Sequence, residues 1–207
     1  MPRSGPLALA ALLALSCRTA DPPPCPARFA ADGAHAARLL DRLRETPDGA
    51  ALLALLPAAP SPRICFGPVA VSSITTESVV LLDRDLGEPE AAARLGHLLA
   101  HAASGLPMAH PRAADCDAQV EEALSREAGA LALELRLRRA LGVSERRLPY
   151  AFEDDFWRTP AVAREALVLD YLHTHPDGAP GLDGLASGYA RRCRAEGPGP
   201  PVVVPGR

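Results

Sequence analysis

The sequence predicts an α+β fold that is mostly helical, with a small β-sheet packed on a pair of helices. Apolar residues recur at helical spacing over most of the chain, whereas residues 64–82 are rich in β-branched side chains. Proline or glycine ends nearly every segment. The 207 residues show no break in composition, so we expect one domain with a sizeable core, over residues 29–196.

Residues 1–16 are expected to be a signal peptide. Arg3 precedes a short apolar run that cannot span a bilayer. The Ala-Leu-Ser sequence before Cys17 resembles the cleavage site of bacterial lipoprotein signals, although that pattern prefers a larger residue than alanine and a smaller one than leucine. The resemblance implies lipidation of Cys17 and a membrane anchor. The alternative is an ordinary cleaved signal, and both imply export.

The cysteines predict two disulfides. If Cys17 is lipidated, Cys25, Cys65, Cys116 and Cys193 remain, and an even number of thiols suits an exported protein. Of the three possible pairings we predict Cys25–Cys65, which ties the N-terminal helices to the sheet, and Cys116–Cys193, which pins the last helix to the start of the long helix.

The order of helices and strands is predicted from the spacing of apolar residues, from helix-capping residues, and from the prolines and glycines that end helices. Prolines make residues 17–28 a tether, and Asp48 is the expected cap of the second helix. Helices are predicted over 33–45, 48–56, 88–104, 115–141, 160–173 and 182–194. Two or three strands are predicted over 64–82. A turn at 154–157 is expected to anchor the core, and residues 197–207 are expected to form a tail.

The long helix is predicted to bury one apolar stripe and to expose its charged residues. The stripe consists of Val120, Leu124, Ala128, Leu131 and Leu135. The residues expected to face outward are Glu121, Glu127, Arg136 and Arg139.

The most informative motif is the pair His97 and His101, four residues apart in the predicted helix 88–104. Both side chains lie on one helix face, so both imidazoles can reach one metal ion. Glu122, in Glu121-Glu122-Ala123-Leu124-Ser125 on the following helix, could supply a third ligand.

Residues 74–128 resemble the zincin metallopeptidases with a glutamate third ligand, the thermolysin-like enzymes. The resemblance implies zinc held by His97, His101 and Glu122. Leu98 stands where that family has the glutamate that deprotonates zinc-bound water, and Arg126 stands where it has an acid that orients a histidine. We therefore expect a degenerate scaffold, a pseudoenzyme that is non-catalytic or weakly catalytic, with no measurable peptidase activity.

Two alternatives stay open. The first is a metal-free, disulfide-stapled structural or interaction domain, in which Glu122 simply pairs with Arg126 one turn along. The second is a hydrolase in which Glu77 or Glu121 replaces the missing base.

The remaining histidines and the net charge carry weaker signals. The His173-Thr174-His175 sequence is more typical of a helix end than of a metal site, and His110 could line a site from its loop. The net charge of −3 gives no electrostatic reason to expect a nucleic-acid partner. The leading hypothesis is an exported, lipid-anchored bacterial envelope protein whose protein partner the sequence does not identify.

Overall fold

The computed structural model describes residues 23–56, 61–69, 72–107, 115–143, 150–179 and 182–195. These residues form an α+β fold that is mostly helical, as the sequence predicts. The helices are α1 (Gly33–Arg44), α2 (Pro47–Leu55), α3 (Glu88–Ser104), α4 (Cys116–Ala140), α5 (Glu153–Arg158), α6 (Arg164–Thr174) and α7 (Leu185–Arg194). The strands are β1 (Arg63–Gly67), β2 (Ser73–Ile74), β3 (Val79–Asp83), β4 (Gly178–Ala179) and β5 (Leu182–Asp183).

The β-branched segment forms a three-stranded sheet in the order β1-β3-β2. Strand β1 runs parallel to β3, and β2 runs antiparallel to it. Residues 23–28 form neither helix nor strand, as the prolines of the predicted tether require. The end of that tether is nevertheless fixed to the sheet, because Cys25 is bonded to Cys65 and Ala30 bridges to Phe66.

Helix α4 lies between two apolar clusters and forms the centre of the fold. One cluster joins it to α1, α2, α3 and the sheet. The other joins it to α5, α6 and α7. Helices α3 and α4 pack antiparallel, and a Cβ at Gly96 would lie 2.3 Å from Leu137 Cδ1, so a larger residue there would require Leu137 to shift.

Several predicted boundaries are corrected by the structure. Thr46, and not Asp48, caps α2: its hydroxyl accepts from the Gly49 amide at 3.0 Å, and Pro47 takes the first helical position. Helix α6 begins at Arg164, after a 3₁₀ turn over Ala161–Ala163.

The C-terminal part also differs from the prediction. Residues expected to begin the last helix form β5, which pairs with β4 in a short hairpin, so α7 begins only at Leu185. The predicted turn at residues 154–157 belongs to α5, where Phe156 is buried and Trp157 is partly buried.

The signal peptide, Cys17 and the tail over 197–207 lie outside the described residues. Among the helices that the structure does describe, none combines the length and the apolar composition that a membrane crossing requires.

Candidate metal centre

Four buried polar residues of α3 form a stripe that faces α4. Glu90, Arg94, His97 and His101 follow one another at intervals of four, three and four residues, so they lie on one helix face. The rest of the buried surface of α3 is made mainly of alanine and leucine. The stripe is therefore a polar seam inside an apolar interface.

Helix α4 presents the matching charges. Glu127, Glu134 and Arg138 are buried and spaced by seven and four residues, which again places them on one face. Because the two helices run antiparallel, Glu127 meets His101 and Glu134 meets Arg94. We call these seven residues of α3 and α4 the polar seam.

At one end of the polar seam, His97, His101 and Glu127 bring three ligand atoms together. The two histidine Nε2 atoms lie 3.2 Å apart. Glu127 Oε1 lies 3.4 Å from His97 Nε2, and Glu127 Oε2 lies 3.2 Å from His101 Nε2. A tetrahedral zinc ion with ligands at about 2.0–2.1 Å separates those ligands by about 3.3–3.4 Å. One ligand atom from each of the three residues lies within 4.8 Å of the other two, so this donor set could hold a metal ion.

A carboxylate also lies beside the outer nitrogen of one candidate ligand. His97 Nδ1 lies 3.2 Å from Glu134 Oε2. A carboxylate at the second ring nitrogen fixes the orientation of a metal-binding histidine and increases its basicity. Glu134, rather than the residue at position 126, is the side chain that lies beside His97 Nδ1.

Glu134 is in turn held by two ion pairs and one hydrogen bond. Arg94 Nη1 lies 3.1 Å from its Oε2, Arg138 Nη2 lies 2.6 Å from its Oε1, and the Tyr150 hydroxyl donates to Oε2 at 2.9 Å. Glu127 accepts a hydrogen bond of 3.2 Å from the Tyr189 hydroxyl of α7. Both carboxylates of the site are thus oriented by neighbours.

The electrostatics of these buried residues favour ionised carboxylates. Burial acts to raise the pKa of Glu127, but the charge and hydrogen bonding of His101 and His97 outweigh it and hold that pKa well below its usual range. The pKa of Glu134 is lowered despite burial, chiefly by Arg94 and Arg138. Burial acts to lower the pKa of His97, but its bonds to Glu127 and Glu134 raise it.

The buried network of charges extends from Glu134 through Arg138 to further carboxylates. Arg138 also interacts with two buried carboxylates, Glu90 at 3.8 Å and Glu153. A cation at His97, His101 and Glu127 would balance the charge of the Glu127 carboxylate, and an unbalanced buried charge is costly.

The carboxylate that the structure brings to the two histidines is Glu127, and not the predicted Glu122. The Glu122 side chain is 62% exposed and pairs with Arg126 one turn along α4. Glu127, which we expected to face outward, is buried against the histidines instead. Other elements pack on both sides of α4, so more than one of its faces is buried. The single apolar stripe predicted from the sequence therefore did not indicate which charged residues of α4 are buried. The seven-residue spacing of Glu127 and Glu134 was the signal that could have found them.

The other sequence candidates lie elsewhere. Leu98, expected to border a metal, is 1% exposed and packs in the apolar cluster of α1, α3 and the sheet. Glu121 is exposed and pairs with His173 at 3.2 Å, and Glu77 is exposed in the turn before β3. His175 caps the end of α6, as expected of a helix end. His110 lies outside the described residues.

Both predicted disulfides are present. Cys25 is bonded to Cys65, and Cys116 is bonded to Cys193. Two disulfides in one domain indicate an oxidising environment, which is the environment that exported proteins encounter.

Comparison of the chain with protein-family models, with curated proteins and with solved structures found no match.

Proposed function

We propose that this chain is an exported envelope protein in which His97, His101 and Glu127 bind a structural zinc ion. The observation that carries the proposal is that one ligand atom from each of these three buried residues lies within 4.8 Å of the other two. The polar seam is then a zincin-like helix pair whose third ligand lies five residues beyond the glutamate that sequence resemblance indicated.

The role of the metal is structural rather than catalytic. His97, His101 and Glu127 are 1%, 0% and 1% exposed, whereas the ion of a catalytic site must be accessible to water and substrate. Leu98 cannot accept a proton. Among the described residues, the carboxylates that pair with His97 and His101 are Glu127 and Glu134, and not the suggested substitute bases Glu77 and Glu121. A broad-range peptide assay is therefore expected to show no turnover that a chelator abolishes.

A lipid anchor on Cys17 would place this domain at a bacterial membrane surface. The two disulfides support export, and the short tether from Cys17 to the fixed Cys25 would hold the domain close to the bilayer. Expression in a bacterium, followed by mass measurement and membrane fractionation, tests this point. Cys17→Ala is expected to release the protein from the membrane fraction, while Cys25→Ala is expected to leave it there.

The zinc proposal is tested by elemental analysis of the purified, oxidised protein. We expect about one zinc ion per chain. Glu127→Gln is expected to lose most of that zinc, because a carboxamide is a poor zinc ligand. Glu122→Gln is the matched control, since it alters an exposed acid on the same helix and is expected to retain the metal. Equal zinc loss in both variants, or none in either, contradicts the proposal.

The metal-free structural domain remains the second candidate. It is favoured by the raised pKa of His97, because a protonated His97 balances part of the buried negative charge without a metal. In that case the oxidised wild-type protein contains no zinc and gains no stability from added zinc.

A further inference from the structure

Helix α7 links the candidate metal centre to one of the two disulfides. Its buried residues Leu185, Tyr189 and Cys193 recur every four residues and lie on one face, against α4. The Tyr189 hydroxyl donates a hydrogen bond of 3.2 Å to Glu127 Oε2. Cys193 is bonded to Cys116, which is the first residue of α4. One helix face therefore carries both the contact to the ligand and the crosslink.

The contact from Tyr189 fixes a ligand atom of the site. Glu127 Oε2, which accepts the hydroxyl hydrogen bond, is the same atom that lies 3.2 Å from His101 Nε2. A ligating carboxylate that is hydrogen-bonded in this way is held in its coordinating orientation. Tyr189 is 1% exposed, so its ring also excludes water from this side of the centre.

The crosslink holds α7 in place. Helix α7 has ten residues, and a helix of that length is unstable in water unless it packs against something. It buries three residues, and the hairpin of β4 and β5 that precedes it has strands of only two residues. The Cys116–Cys193 bond secures the end of α7 that lies farther from this hairpin.

We propose that the Cys116–Cys193 disulfide gates metal binding at His97, His101 and Glu127, so that the site becomes tight only after this disulfide forms. The inference rests on the proposed function. Oxidation removes two protons and two electrons from the thiols and passes the electrons to a disulfide of an exchange partner. A dithiol reverses the step, giving two thiols and its own oxidised form. The reduced chain binds metal weakly before export, and the oxidised chain retains it afterwards.

The test compares zinc affinity, measured by competition with a chromophoric chelator, among disulfide variants. Cys116→Ala/Cys193→Ala is expected to bind zinc about 10- to 100-fold more weakly than the oxidised wild type. The matched control is Cys25→Ala/Cys65→Ala, which removes the disulfide that ties the chain to β1, away from α7. Its affinity is expected to remain within about threefold of wild type, as for a bond remote from the ligands.

Tyr189→Phe distinguishes a specific effect of α7 on zinc affinity from a general loss of folding. This variant keeps both disulfides and the apolar ring, and removes only the hydroxyl that holds Glu127. Its affinity for zinc is expected to fall by about tenfold, with an unchanged far-ultraviolet circular dichroism spectrum. If the Cys116→Ala/Cys193→Ala variant does not fold, Tyr189→Phe decides the outcome.

The possible outcomes separate this inference from the proposed function. If the oxidised wild type binds no zinc, the metal site itself is refuted. If the wild type binds zinc and a folded Cys116→Ala/Cys193→Ala variant binds it equally well, the gate is refuted and the site stands. Unchanged affinity in Tyr189→Phe, or an equal loss in the Cys25→Ala/Cys65→Ala control, also overturns the gate.

Discussion

The polar seam between α3 and α4 contrasts with the apolar cluster that the same helices form with α1 and the sheet. The cluster is built from leucine, alanine and a few β-branched residues, and it gains stability from each apolar surface removed from water. In the polar seam, each charged group loses its hydration on folding, and only the interaction with an oppositely charged neighbour compensates for that loss. The cluster therefore explains why the fold is stable, whereas the polar seam is the part of this interface that our metal-binding proposal addresses.

The largest effect is expected from placing a charge in the apolar cluster. Leu98→Glu puts a carboxylate at a position that is 1% exposed, with apolar residues around it. A buried carboxyl without a partner must shift its pKa by several units or open the structure, so we expect a loss of about 5 kcal/mol or more in the free energy of unfolding. Chemical denaturation measures it. Leu98→Met, which conserves volume, is the control and is expected to lose less than about 1.5 kcal/mol.

A slightly smaller effect is expected from removing the central carboxylate of the polar seam. Glu134→Ala leaves Arg94 and Arg138 facing each other without their shared partner, and such a change typically costs about 3–5 kcal/mol. Urea titration of the variant checks this, with the exposed Glu121→Ala as its control. A loss no greater than that of the control would mean that the polar seam contributes nothing to folding.

The pH dependence of stability distinguishes the metal-free from the metal-bound protein. Without metal, the lowered pKa of Glu127 and of Glu134 gives stability that is present above about pH 4.3, the unfolded value, and is lost as pH falls further. The raised pKa of His97 gives stability that is complete below about pH 6.5 and is lost as pH rises through the folded pKa. With a chelator, stability is therefore expected to be highest between about pH 5 and 6.5.

Zinc is expected to reverse the trend above pH 6.5. Its histidine ligands must be deprotonated, so zinc adds more stability as the pH rises. Thermal denaturation from about pH 4 to 8, with zinc or with chelator, measures both profiles. Identical slopes above pH 6.5 under the two conditions would rule out metal binding at the histidines.

The smallest effect is expected from the exposed pair at the start of α4. Glu122→Ala removes one ion pair with Arg126, and a solvent-exposed pair of this spacing contributes only a few tenths of a kcal/mol. The melting temperature should hardly move. A loss comparable with that of Glu134→Ala would show that position 122 has a role that its exposure does not indicate.

Local sequence signals predicted much of the fold. Glycine at position 105 marks the end of α3, and the β-branched run marks the three-stranded sheet. Both disulfide pairings were also predicted correctly. The short hairpin before α7 was missed, because strands of two residues carry too little periodicity to be recognised.

The sequence by itself determined that His97 and His101 share a helix face, because the α-helix repeats every 3.6 residues whatever surrounds it. It also determined that Glu127 and Glu134 share a face of α4. Only the tertiary structure decided that this face, and not Glu122, meets the histidines. Periodicity states which residues lie together on a helix, but the packing of neighbouring helices decides which faces are covered, and α4 is covered on both sides.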